Sequence, residues 1–167
     1  MCLVLKDQKR KKPSVAKEDI TVVKVGYTDD GGQTFNPIYM TYFAYRKGET
    51  CKHTKMKIEV QNVPELTKEG NMVMWWEKNV IRIGYHAYMD FNSCLKMMGD
   101  IPISWSMEYP FRDFCIGEFT IPAGAKYFIG DDGDIVSSEI RFERTLSVFG
   151  DETAKTRERM ESNKRLQ

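Results

Sequence analysis

The 167-residue sequence predicts a β-rich α+β domain, a mostly antiparallel sheet of about seven short strands with one or two short helices. Three observations predict it. Short runs rich in Val, Ile, Phe and Tyr recur along the chain, separated by clusters of Gly, Pro, Asp and Asn. Residues 56–60 alternate apolar and polar, the pattern of a strand with one face in the core. Helical spacing is confined to the stretch after Phe91 and to the charged C-terminal residues.

In chain order, residues 1–17 carry a basic, proline-containing run with little to bury and read as a flexible basic arm. Residues 18–148 read as a single globular domain. Its first strand, 20–27, is β-branched and apolar on both faces, which places it centrally in a sheet. Turn residues at 28–33 end it. A second strand is expected over 38–45, and a half-buried one over 56–60 with Met56, Ile58 and Val60 inward. Residues 61–71 contain Pro64 and Gly70 and read as loop. Residues 72–77, with Trp75 and Trp76, fit either a strand or an apolar loop packed on the sheet. A central strand follows at 80–85. Asp90 or Asn92 can cap a helix over 93–98 that Gly99 ends. Residues 100–112 read mostly as loop, and strands are expected at 113–121, 126–129 and 135–144. Residues 149–167 read as a charged tail, helical or disordered, because the apolar stripe is thin.

Twenty-five basic residues against 24 acidic ones leave a net charge of +1, so a dedicated nucleic-acid surface is not expected. No apolar run approaches the roughly 18–20 residues that cross a membrane. The apolar start Met1–Leu5 is too short for a leader, and the basic residues follow it. Cys2, Cys51, Cys94 and Cys115 show no paired spacing and are expected to be free thiols in a reducing cytoplasm. Cys51 and His53 with a further Cys or His could supply metal ligands, but the spacing matches no zinc motif, and no metal or cofactor is expected.

The stretch Val80–Phe91 carries one of only two histidines, His86, between Tyr85 and Tyr88. It predicts a strand that delivers a polar, aromatic cluster to the rim of a sheet. Tyr85, His86, Tyr88, Trp105, Tyr109 and Tyr127 offer stacking faces, and Arg82, Arg112 and Arg141 offer forks for phosphate or carboxylate. An aromatic-plus-arginine cleft suits a nucleotide. Catalytic signatures are absent: there is no nucleophile elbow, P-loop or dinucleotide fingerprint. The competing enzymatic reading is chemistry on NAD or a nucleotide of the ADP-ribosyltransferase kind, with His86 and Glu139 catalytic and a tyrosine such as Tyr109 between them. Residues 121–127 and Ser137-Ser138-Glu139-Ile140 faintly resemble that family's late strands.

The start Met1-Cys2-Leu3, the run Ala16–Ile20 leading into Val22–Val25, the Gly84-Tyr85-His86 segment, Ile121–Tyr127 and Ser138–Phe142 together resemble a family of small accessory proteins of tailed phages that infect gut Bacteroidales. The resemblance spans about residues 1–143 and excludes the Trp75-Trp76 region and the charged tail. It implies a phage origin and the cytoplasm of an infected bacterium. It carries no active site. Together the readings lead to a non-enzymatic, phage-encoded binding protein that sequesters a nucleotide-type immune signal or a host protein, in a form compatible with a homo-oligomer. A virion or structural component is the third expectation.

Overall fold

A computed structural model of the chain describes residues 3–9, 12–38, 43–53, 55–66, 73–99, 114–131, 133–146, 151–161 and 165. Among them are 13 strands and 2 helices, a β-rich and antiparallel architecture with more strands than the sequence predicts. The strands are β1 (Leu3–Val4), β2 (Ser14–Val15), β3 (Ile20–Tyr27), β4 (Thr34–Pro37), β5 (Tyr45–Arg46), β6 (Thr50–Lys52), β7 (Ile58–Leu66), β8 (Val73–Ile81), β9 (Tyr85–Tyr88), β10 (Phe114–Ile121), β11 (Lys126–Ile129), β12 (Asp134–Ser137) and β13 (Glu139–Leu146). The helices are α1 (Phe91–Gly99) and α2 (Asp151–Glu161).

The main sheet runs β2-β11-β12-β9-β3-β10-β13-β6, with β4 attached to β3 and β5 to β4. β3 lies inside it, buried on both faces as its composition requires, and pairs with β10 along its whole length. Residues 134–146 do not form one strand. The chain bends at Ser138, leaves β9 and β11, and joins β10 and β6. A chain that changes neighbours at one bend closes a corner between two distant parts of a sheet, so the sheet curls. Its concave side holds the largest core cluster, in which Val22, Phe35, Tyr45, Phe119, Ile135, Ile140 and Phe142 meet. Phe35 sits edge-on to Phe119 at 5.1 Å, and Phe142 lies 5.4 Å from it.

The other face carries the helices. Asp90 caps α1, its Oδ1 accepting the Ser93 amide at 2.8 Å. Phe91 and Cys94 then pack on Val23 and Val25. α2 docks on the same face through Thr153, Thr156 and Met160, spaced for one side of a helix. The contact that fixes it is polar. Buried Glu118 accepts from Thr156 Oγ1 at 2.5 Å, Arg159 Nη2 at 2.7 Å and Arg144 Nε at 3.0 Å. Residues 151–161 of the segment expected to be helical or disordered thus form a helix held by a carboxylate beneath it.

Further expectations change. The N-terminal segment is not a free arm where it is described: Leu3 and Leu5 are fully buried, β1 pairs with β8, and β2 pairs with β11. Residues 38–45 give no continuous strand; β4 ends at Pro37 and β5 starts at Tyr45, with 39–42 outside the described residues. Residues 61–66 are strand, part of a long β7–β8 hairpin. Pro64 is tolerated there because β7 is the outer strand of its three-stranded sheet. Trp75 and Trp76 lie in β8 and stand 65% and 52% exposed, so they are not packed on the main sheet, and Val60 opposite Asn79 is exposed as well. Finally, 80–85 is no single strand. β8 ends at Ile81, Arg82 to Gly84 form a link, and β9 begins at Tyr85 in the other sheet.

Candidate functional site

The site lies where β3 changes partner. Along one edge β3 meets β9 at a single position, Val23 opposite Tyr88. Three residues on, the same edge belongs to β4, with Gly26 opposite Pro37 and Tyr27 opposite Asn36. Between these two pairings β9 and β3 part, and on that edge no described strand pairs with Lys24 and Val25, whose other edge is taken by β10. The gap is a pocket of about 370 Å³. That is enough for a small organic ligand.

Two glycines make the fork. A Cβ on Gly26 would strike the Asn36 carbonyl and the Phe35 ring, so only glycine lets β4 lie this close to β3. Gly84 has φ of +141°, a conformation that L side chains rarely adopt, and an added Cβ would stand 2.5 Å from Val136 Cγ2. It turns the chain out of the link and into β9 at the pocket edge.

The walls are largely aromatic. Phe43 stands edge-on to Tyr45 at 4.9 Å, Tyr45 lies 6.1 Å from Tyr85, and Tyr85 lies 6.2 Å from His53. Pro37, Ile38, Ile83, Tyr88 and Met97 complete the apolar lining. Among the described residues the lining cations are Lys24 inside and Arg82 at the exposed rim, and no Asp or Glu lines the pocket. Lys24 is 8% exposed. Its Nζ lies 5.3 Å from the Tyr45 ring centroid and 5.8 Å from that of Phe119, and it donates to the His86 carbonyl.

Burial sets the titration of this pair. Desolvation pushes the Lys24 ammonium down to about 8, opposed weakly by the Cys94 thiol. Desolvation, helped by the Lys24 charge, pushes His86 down to about 4, so its ring is neutral near pH 7. The Arg82 backbone opposes that shift, yet neither ring nitrogen makes a well-formed hydrogen bond. Burial also raises the Tyr45 and Tyr85 phenols and holds Cys94 at about 12. All three are protonated at neutral pH.

Of the residues the sequence singles out, Arg82, Tyr85, His86 and Tyr88 come together in this pocket. Tyr127 does not: it is in the concave core, 6% exposed, because β11 turns that face inward. Arg141 also lies elsewhere, in a charged groove on β13, with Glu143 at 2.7 Å and Asp19 at 3.8 Å. Glu139 pairs with Lys52 at 3.2 Å and is not among the pocket residues, so the pocket does not bring it to His86. Trp105, Tyr109 and Arg112 lie outside the described residues. The sequence reading does not single out Lys24, Phe43 or Tyr45 as site residues, and it weighs His53 only as a metal ligand. Lys24 left a signal: it is the one charged residue in the apolar run 20–25 of a doubly buried strand.

Among the described residues no three His, Cys, Asp or Glu side chains gather to hold a metal ion, and no helix is long and apolar enough to cross a membrane. Comparison with family models, curated proteins and solved structures finds no match to this chain.

Proposed function

We propose that the chain is a binding protein, not an enzyme, and that the fork between β3, β4 and β9 takes a small nucleotide-type ligand. One observation carries the reading: a pocket walled by Phe43, Tyr45, Tyr85 and Tyr88 holds cations and, among the described residues, no carboxylate. Aromatic walls suit a planar ring, and a cationic interior suits an anion. The chemistry of the lining also favours binding over turnover. His86 is neutral near pH 7 and neither of its ring nitrogens has a well-formed hydrogen bond among the described residues, while the Cys94 thiol near Lys24 is held protonated by burial. With the resemblance of Gly84-Tyr85-His86 and residues 121–127 to small tailed-phage proteins, the reading becomes sequestration of a nucleotide-type signal in the cytoplasm of an infected bacterium.

A thermal-shift screen against mononucleotides, cyclic nucleotides and NAD tests it. A ligand at 100 times its Kd adds about 2.7 kcal/mol, which moves the midpoint of a domain this size by several degrees. A sequestering protein returns that ligand unchanged after heat denaturation. Recovery of a cleaved or transferred product overturns the reading in favour of catalysis. A host-protein or virion role is favoured instead if no small ligand shifts the midpoint and the chain co-purifies with particles.

A further inference from the structure

We propose that Lys24 reads the ligand's charge, so that the occupant enters anion first, bearing one carboxylate or phosphate group, with its planar part left among Tyr85, Phe43 and Tyr88. This deepens the binding reading above and rests on it.

The argument starts from an unbalanced charge. Lys24 is buried, and among the described residues no carboxylate pairs with it. Its ammonium is held by the His86 carbonyl and by two aromatic faces, all of them neutral. A buried ammonium with only neutral partners is costly, and an anion placed against it recovers that cost. Arg82 is the wrong residue for this task. It stands exposed at the rim, where an ion pair contributes roughly 0–1 kcal/mol. The interior also holds one cation and not a cluster, which suits a single anionic group and not a polyphosphate.

Proton coupling follows from the same geometry. The groups that face the Lys24 ammonium are His86 and Tyr85 from β9, Tyr45 from β5 and Cys94 from α1, with His53 and Arg82 farther out. The interior ones are neutral at pH 7, so Lys24 is the one group there whose charge changes near pH 8. An anion holds the ammonium protonated. Binding therefore takes up a proton above pH 8, and affinity for an anion falls about tenfold per pH unit there.

The test uses matched pairs on the whole chain: adenosine 5′-monophosphate against adenosine, and indole-3-carboxylate against its amide, by calorimetry from pH 6.5 to 9.5. The expected result is at least a tenfold preference for one anion over its uncharged twin at pH 7. That preference is lost in Lys24→Met and eroded above pH 8 with proton uptake. Which pair shows it tells phosphate from carboxylate. Proton uptake is read on the unmutated chain, so the test does not depend on a variant folding. Equal binding of both twins, or a preference that survives Lys24→Met, overturns the role of Lys24 and leaves the pocket standing. Binding by none of the four overturns both.

Discussion

Lys24 reaches across the gap between β3 and β9 and donates its ammonium to the backbone carbonyl of His86. A cation and a titratable ring, both buried, thus share one wall of the pocket. Burial pushes both below their ordinary values, and the Lys24 charge makes the His86 imidazolium harder still to keep.

His86 makes stability sensitive to mild acid. Its folded value of about 4 lies below the 6.5 of the unfolded chain, so between these the unfolded state binds more protons. Stability rises with pH through that window and falls as pH drops from 6.5 toward 4, by up to roughly 3 kcal/mol. His86→Phe should flatten the profile between pH 4 and 6.5 relative to the parent. Urea midpoints across that range measure the difference.

Lys24 acts in the same direction at alkaline pH. Its folded value of about 8 lies below 10.5, so the unfolded state holds the extra proton between the two and stability rises across that window. Lys24→Met should remove this rise and, by deleting a buried charge, leave the protein at least as stable at pH 7. A Lys24→Met protein that unfolds at a lower temperature than the parent at pH 7 contradicts the burial argument.

Gly84→Ala should be destabilising by about 2 kcal/mol or more, through a positive φ and a collision with Val136. Chemical denaturation should show a lower midpoint with an unchanged slope. Gly124→Ala, also at positive φ but with open space around it, pays only the backbone term and should cost less.

Glu118→Gln should loosen α2 from the sheet. The substitution keeps the shape but removes the charge that Arg144, Arg159 and Thr156 share, a loss of about 2 kcal/mol. Hydrogen exchange in 151–161 should accelerate well before exchange in β3. Equal protection of α2 in parent and variant contradicts the assignment.

Trp75→Ser and Trp76→Ser should each change stability by no more than about 0.5 kcal/mol, because both rings are mostly exposed on the β7–β8 hairpin. Thermal midpoints measure it. A large loss would show that the hairpin packs against something.

Local order was readable wherever one pattern sufficed. The apolar run at 20–27 marked a doubly buried strand, Asp90 marked the start of α1, and strict alternation marked Met56 and Ile58 as inward, though it failed at Val60, which is exposed. Readings failed where a strand's fate depended on its neighbours. Pro64 argued for loop, yet an outer strand has no neighbour to need its missing N–H. Residues 135–144 read as one strand because a bend that changes neighbours leaves no mark in hydrophobic period. Tyr127 and Tyr85 looked alike as aromatic candidates; only the turn of their strands puts one in the core and the other in the pocket.

Amino-acid order therefore determined the β-rich class, the central strand and the polar character of Tyr85, His86 and Tyr88, since each follows from side-chain periodicity or type. The fork itself was decided by long-range pairing. Val23 meets Tyr88 from 65 residues away, and farther along the same edge Gly26 meets Pro37 of another strand. Neither contact is written in local spacing, and it is the mismatch between them that buries Lys24 and opens the pocket.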